Sequence, residues 1–199
     1  MNELRKHRIK SVFRYTWPFY IISGVAISLT LVFIFGATHR IPEYKTLTVF
    51  VSGEVTDYKK LEKDVLTRFK DNELKTFGTI DANPNEQTYY NRLSIQGYSS
   101  ADILILPNSV IENLNLAYFA LSLPNELVND YYSGYSIYNR DEVKYGVKLD
   151  KAKVNSYMNL PNEDCYMVLN AKSQNLGEYG GIAIKEHDNA LNLVKDWGL

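Results

Sequence analysis

Residues of the types that do chemistry are sparse in this chain of 199 residues, which holds one cysteine, Cys165, and three histidines, His7, His39 and His187. A single thiol forms no internal disulfide. Cys165 opens CYMVLN, an apolar run where a small buried hydrophobe is expected rather than a nucleophile. His187 stands alone in KEHDN beside Asp188, at the expected start of a helix, which suits a solvated or capping role. No Cys/His cluster at zinc spacing, no Gly-rich phosphate loop and no GxSxG elbow occurs. Asp141-Glu142 and Glu163-Asp164 are adjacent acids in polar turns, where solvation is the expected state. Asp81, Asn83, Asn85 and Glu86 carry some donors of a calcium loop, without the glycine and distal Glu of an EF-hand. Neither an enzyme nor a metal or cofactor carrier is expected; the residues point to function by binding.

Two groups of residues suit binding. Ser52, Gly53, Glu54, Asp81, Asn83, Asn108 and Ser109 follow apolar runs and offer small polar groups and backbone amides. A tyrosine-rich stretch holds Tyr131, Tyr132, Tyr135 and Tyr138, followed by Tyr145 and Tyr157. Such amphipathic rings stack on sugars, contact a protein partner or fill a core.

The elements that position the first group follow from periodicity. LTVFV, residues 47–51, is β-branched and apolar and predicts a buried strand. Thr56-Asp57 opens a helix carrying Leu61, Val65, Leu66 and Phe69 at helical spacing, closed by Asp71-Asn72. A strand over residues 74–80, the turn DANPNE over 81–86, and a helix over 88–96 with Tyr89, Leu93 and Gln96 on one side come next. ADILIL, residues 101–106, is the strongest strand signal and ends at Pro107. Alternating strands and helices predict an α/β domain with a mostly parallel sheet covered on both faces. Ligands of open α/β sheets sit beyond the carboxyl ends of the strands, where the seven small polar residues fall. Later, less regular signals predict short helices over 110–116 and 125–132, a strand over 166–170, a loop or short helix over 173–181 and a last helix opened by Asp188-Asn189.

All of this follows a stretch of another kind. Trp17 to Gly36 carries no charge and is long enough to span a bilayer's hydrocarbon core as a helix. Arg5, Lys6, Arg8, Lys10 and Arg14 precede it, which predicts a cytoplasmic N-terminus and an outward-facing remainder. The expected division is a basic tail over 1–16, a single-pass helix over 17–38, a link over 39–45 and an extracytoplasmic domain over 46–199. The run is longer than a signal peptide's apolar core, and Phe35 is too large for a cleavage site, so the anchor is expected to stay. Residues 1–40 hold six Lys/Arg against one acid, and residues 41–199 hold 16 against 22. An acidic outer domain excludes a nucleic-acid partner.

The order LTVFVSG, helix, strand, helix, SADILILPNS resembles the first lobe of a type-2 extracellular solute-binding protein of ABC importers, over residues 46–110 and again over 164–197. The stretch over 111–163 is short for that family's second lobe, and a helix stands where Gram-positive members carry a lipidated cysteine. The resemblance implies a truncated, membrane-anchored relative: an accessory or substrate-binding subunit whose partners are an ABC permease, its ATPase and a solute such as a sugar. The alternative is a structural or regulatory membrane protein whose outer domain docks on an envelope protein through its tyrosines and binds no solute.

Overall fold

A computed structural model describes residues 3–38, 41–70, 74–180 and 187–199. The chain forms two units, Met1–Ile41 and Pro42–Leu199.

The first unit is one helix, α1 (Glu3–Thr38), so the basic segment is helical and continuous with the apolar run. Its stretch Arg14–Gly36, 23 residues, is long and apolar enough to cross a membrane. Trp17, Phe19, Val25, Leu29, Val32 and Phe33 all stand exposed, on every side of the helix. A helix that is apolar all round belongs in an apolar surrounding. Three of its hydroxyls are satisfied within the helix: Thr16, Ser28 and Thr30 donate to the carbonyls of Val12, Gly24 and Ala26 at 2.8, 2.9 and 2.8 Å. Pro18 brings no N–H to the carbonyl of Arg14, at the start of the apolar run.

The second unit is built on a six-stranded mixed sheet. In chain order its elements are β1 (Thr46–Ser52), β2 (Glu54–Val55), α2 (Tyr58–Arg68), β3 (Thr76–Ala82), α3 (Tyr89–Arg92), a π turn (Leu93–Gly97), α4 (Tyr98–Ser100), β4 (Ile103–Pro107) and α5 (Asn108–Ile111). There follow α6 (Asn125–Tyr131), β5 (Ile137–Arg140), β6 (Val143–Lys148), α7 (Lys151–Val154), β7 (Met158–Asn159), β8 (Cys165–Leu169) and α8 (Asn189–Trp197). The spatial order is β3-β1-β4-β8-β6-β5, with β2 and β7 in a separate pair. β1 runs parallel to β3 and β4, whereas β8 is antiparallel to β4, β6 to β8 and β5 to β6.

The apolar runs predicted as strands are buried on both faces, which is why they are continuous rather than alternating. Val49, Val51, Ile103 and Ile105 meet α2 and α8 in one core, through Leu61, Val65, Leu191, Leu193, Val194 and Trp197. Phe50, Leu104 and Leu106 face the other way, into a second core with Tyr89, Leu93, Val110 and Ile111. α2 starts where expected: the Asp57 side chain accepts from the Lys60 N–H at 3.1 Å.

The structure departs from the sequence reading at four places. The expected single helix over 88–96 is interrupted by the π turn, and the extra residue rotates its inner face: Gly97 is buried and Gln96 exposed. β3 continues through Asp81 and Ala82, shortening the turn that follows. α2 ends at Arg68; the stop expected at Asp71-Asn72 lies outside the described residues. The tyrosine-rich stretch contains a β-hairpin, β5–β6, so the sheet expected to be mostly parallel is mixed: β3-β1-β4 are parallel and the remaining half is antiparallel. The residues between 111 and 163 thus extend the sheet and build no second lobe; they lie within the same unit.

Candidate functional site

β1, β3 and β4 end together at Ser52, Ala82 and Pro107, and there the chain crosses its own crevice. Residues 158–164 form a strap over these ends. Asn159 and Met158 pair with Glu54 and Val55. Gly53 lies so close beneath the strap that a Cβ would stand 2.4 Å from the Asn159 carbonyl oxygen. Further along, the Glu163 carboxylate accepts from both the N–H and the hydroxyl of Ser109, at 2.8 and 2.7 Å. The Asn108 N–H donates to the Asp164 carbonyl at 2.9 Å, and Lys148 ion-pairs with the Asp164 side chain at 2.7 Å. The Glu163-Asp164 pair, expected to be merely solvated, therefore pins the strap.

The seven small polar residues separate into distinct environments. Gly53, Glu54 and Asn83 line one groove of about 210 Å³ together with Asn85, Asn159 and Leu160. Asn83 accepts from the Asn85 N–H at 3.0 Å, which fixes the turn there. Asn108 and Ser109 sit at the neighbouring strand end with their N–H groups taken by the strap. Ser52 is fully buried, and its hydroxyl lies 2.6 Å from that of Tyr89. Burial raises the Tyr89 pKa, so both groups stay neutral. Asp81 is exposed at the end of β3, outside the groove.

The tyrosines do not share one exposed face. Tyr131, Tyr132 and Tyr135 donate to the Asp188 carboxylate, the Leu191 carbonyl and the Lys195 carbonyl at 2.8, 3.2 and 3.0 Å. Spaced along one side of α8, these bonds tie residues 131–135 to that helix. Tyr132 is fully buried and presents no surface to a partner. Tyr138 lies against the second core, its ring 5.1 Å from that of Tyr166.

Chemistry-bearing groups elsewhere are occupied. Cys165 is buried, and burial pushes its thiol up to about 11, far from a reactive thiolate. His187 stacks on Tyr44 with ring centroids 3.9 Å apart. Among the described residues, no three His, Cys, Asp or Glu side chains come together to hold a metal.

One constellation has no counterpart in the sequence reading. Asp102, at the head of ADILIL, accepts from the Thr48 N–H at 2.7 Å, from the Ser173 hydroxyl and from Asn175 Nδ2 at 3.2 Å. Burial pushes this carboxyl above the ordinary range, and the three hydrogen bonds oppose the shift without cancelling it. Asn175 also donates to the Thr46 carbonyl at 2.9 Å, and Asn189 Nδ2 to the Tyr44 carbonyl at 3.3 Å. The residues that enter β1 are thereby held by polar side chains from a loop and from the first residue of α8, 129 and 145 positions away. Only the apolar run of ADILIL is visible in sequence; the partners of its aspartate are not.

No family model, curated protein or solved structure matches this chain.

Proposed function

We propose that this is a single-pass membrane protein whose outward-facing α/β domain docks on a partner in the cell envelope. The observation that carries this reading is the strap. Solute capture at the carboxyl ends of parallel strands needs free amides and hydroxyls. Here Glu163 takes those of Ser109, Asn159 closes over Gly53, and residues 111–163 extend the sheet instead of forming a second lobe that shuts on a ligand. The 23-residue apolar stretch of α1 and the preceding basic residues support the anchor and its orientation. Tethering confines the domain near its partner and makes a weak encounter effectively intramolecular.

A second reading, an accessory or solute-binding subunit of an ABC importer, is favoured by the amide-lined groove of Gly53, Glu54 and Asn83. Affinity purification of the full chain from its native membrane in mild detergent, followed by mass spectrometry, separates the two. Envelope proteins without a transporter are the expected recovery. A permease and its ATPase would replace the docking reading with the second.

A further inference from the structure

A second groove lies beside the β5–β6 turn, away from the strap. It has a volume of about 320 Å³ and is lined by Asn113, Asn115, Leu116, Arg140, Asp141 and Tyr145 among others. That is the lower end of the range for small-molecule sites. Its polar groups are set in place. Arg140 donates to the Leu114 carbonyl at 2.7 Å, which fixes the guanidinium against the wall, and its Nε lies 3.9 Å from the Asp141 carboxylate. Asn113 Nδ2 donates to the Ser109 carbonyl at 2.8 Å. Tyr145 is half-buried and packs on the second core, so its ring is a rigid platform. Asp141 and Glu142 both hold positive φ, 51° and 65°, and the Asp141 side chain is 93% exposed at the groove.

We propose that this groove binds a neutral saccharide. The opposed charges of Arg140 and Asp141 offset each other, which disfavours a free anion or cation. Carboxylate, guanidinium and amide groups present planar pairs of acceptors and donors, matched to adjacent hydroxyls. The Tyr145 ring supplies an apolar face for the C–H side of a sugar ring, with a hydroxyl at its edge. The proposal deepens the docking reading by giving the partner a chemistry, and it rests on that reading only for where the glycan is met.

The test uses the full chain in lipid nanodiscs, which avoids sugar-headed detergents. Calorimetric titration with an N-acetylglucosamine tetramer and with maltotetraose is expected to show saturable binding of at least one. Asn115→Ala and Asp141→Ala should each weaken it about tenfold. Glu142→Gly, next to the groove but not lining it, should leave it unchanged. Thermal melts identify any variant that fails to fold, and Asn115 is exposed and outside the regular elements. Absence of binding by both sugars up to about 10 mM would overturn the proposal, as would binding that both alanine variants leave within about twofold. Either failure leaves docking on a protein standing or falling by the affinity purification alone.

Discussion

At the scale of single residues, close approach and burial decide what a change does. Gly53 is required by space: a Cβ there meets the Asn159 backbone, which has no flexible end to move aside. Gly53→Ala is expected to part β2 from β7 and destabilise the domain by about 1–3 kcal/mol, the usual cost of overpacking. Urea denaturation measures this, and a variant as stable as the parent would show that the strap is loose. Asp102 makes a prediction about pH. Its folded-state carboxyl is raised above the ordinary value of 3.8, so in that window the folded domain binds the proton that the unfolded chain releases. Stability contributed by this group is greatest at low pH and is lost as pH rises from 3.8 through the raised folded value. Asp102→Asn keeps an acceptor for Thr48, and the Ser173 hydroxyl can turn to accept from the new amide. The variant's denaturation midpoint should therefore vary less with pH than the parent's as pH rises above 3.8. A variant with the parent's slope would assign the pH dependence to other groups.

At the scale of elements, what was legible in sequence is what repeats locally. β1 and β4 are runs of apolar residues, and α2 and α8 repeat theirs every three or four positions, so burial and periodicity announce them. Elements whose cause lies far along the chain are not announced. The π turn inserts one residue to seat Gly97 against Phe50 and Leu104, a need visible only once the sheet exists. The β5–β6 hairpin is silent for another reason. Its two-residue turn is Asp141-Glu142 at positive φ, where Asn-Gly or Asp-Gly would have marked it. The same holds for the site: small polar residues at strand ends were visible, but the strap that covers them comes from 54 residues beyond Ser109 and about twice as far beyond Gly53. Glu142 carries a direct test. A non-glycine residue in the left-handed region costs about 1–2 kcal/mol, and glycine returns part of that gain as chain entropy in the unfolded state. Glu142→Gly is expected to stabilise the domain by about 0.5–1 kcal/mol in chemical denaturation. A loss of stability would mean that the Glu142 side chain holds the turn by contacts of its own.

At the scale of the whole molecule, the boundary between its two units decides which residues the second unit needs for its own stability. The sequence reading treated residues 39–45 as a link and began the domain at 46. The second unit begins at Pro42, and the 3₁₀ turn Glu43–Lys45 is already part of it although none of its residues is buried. Polar contacts hold that segment: Asn189 to the Tyr44 carbonyl, Gln174 to the Glu43 carboxylate, and the His187 ring on Tyr44. Removing the segment strips partners from groups that stay buried. Asn175 and Asn189 are both fully buried, and among the described residues Asn189 Oδ1 already lacks a hydrogen-bond partner. A chain starting at Pro42 should therefore unfold at the same urea midpoint as the outer domain of the full protein. One starting at Leu47 loses the Tyr44 and Thr46 carbonyls; Asn175 keeps Asp102 and Asn189 keeps Asn175 as acceptors, and each buried amide hydrogen that loses its carbonyl costs about 1–3 kcal/mol. If the shorter chain proved as stable as the longer, residues 42–46 would be a mere tether. If it is weaker by the expected amount, the residues nearest the anchor are part of the domain's structure. Tension on them, or a partner that displaces them, would then act on β1 and on the carboxylate of Asp102 at the head of β4.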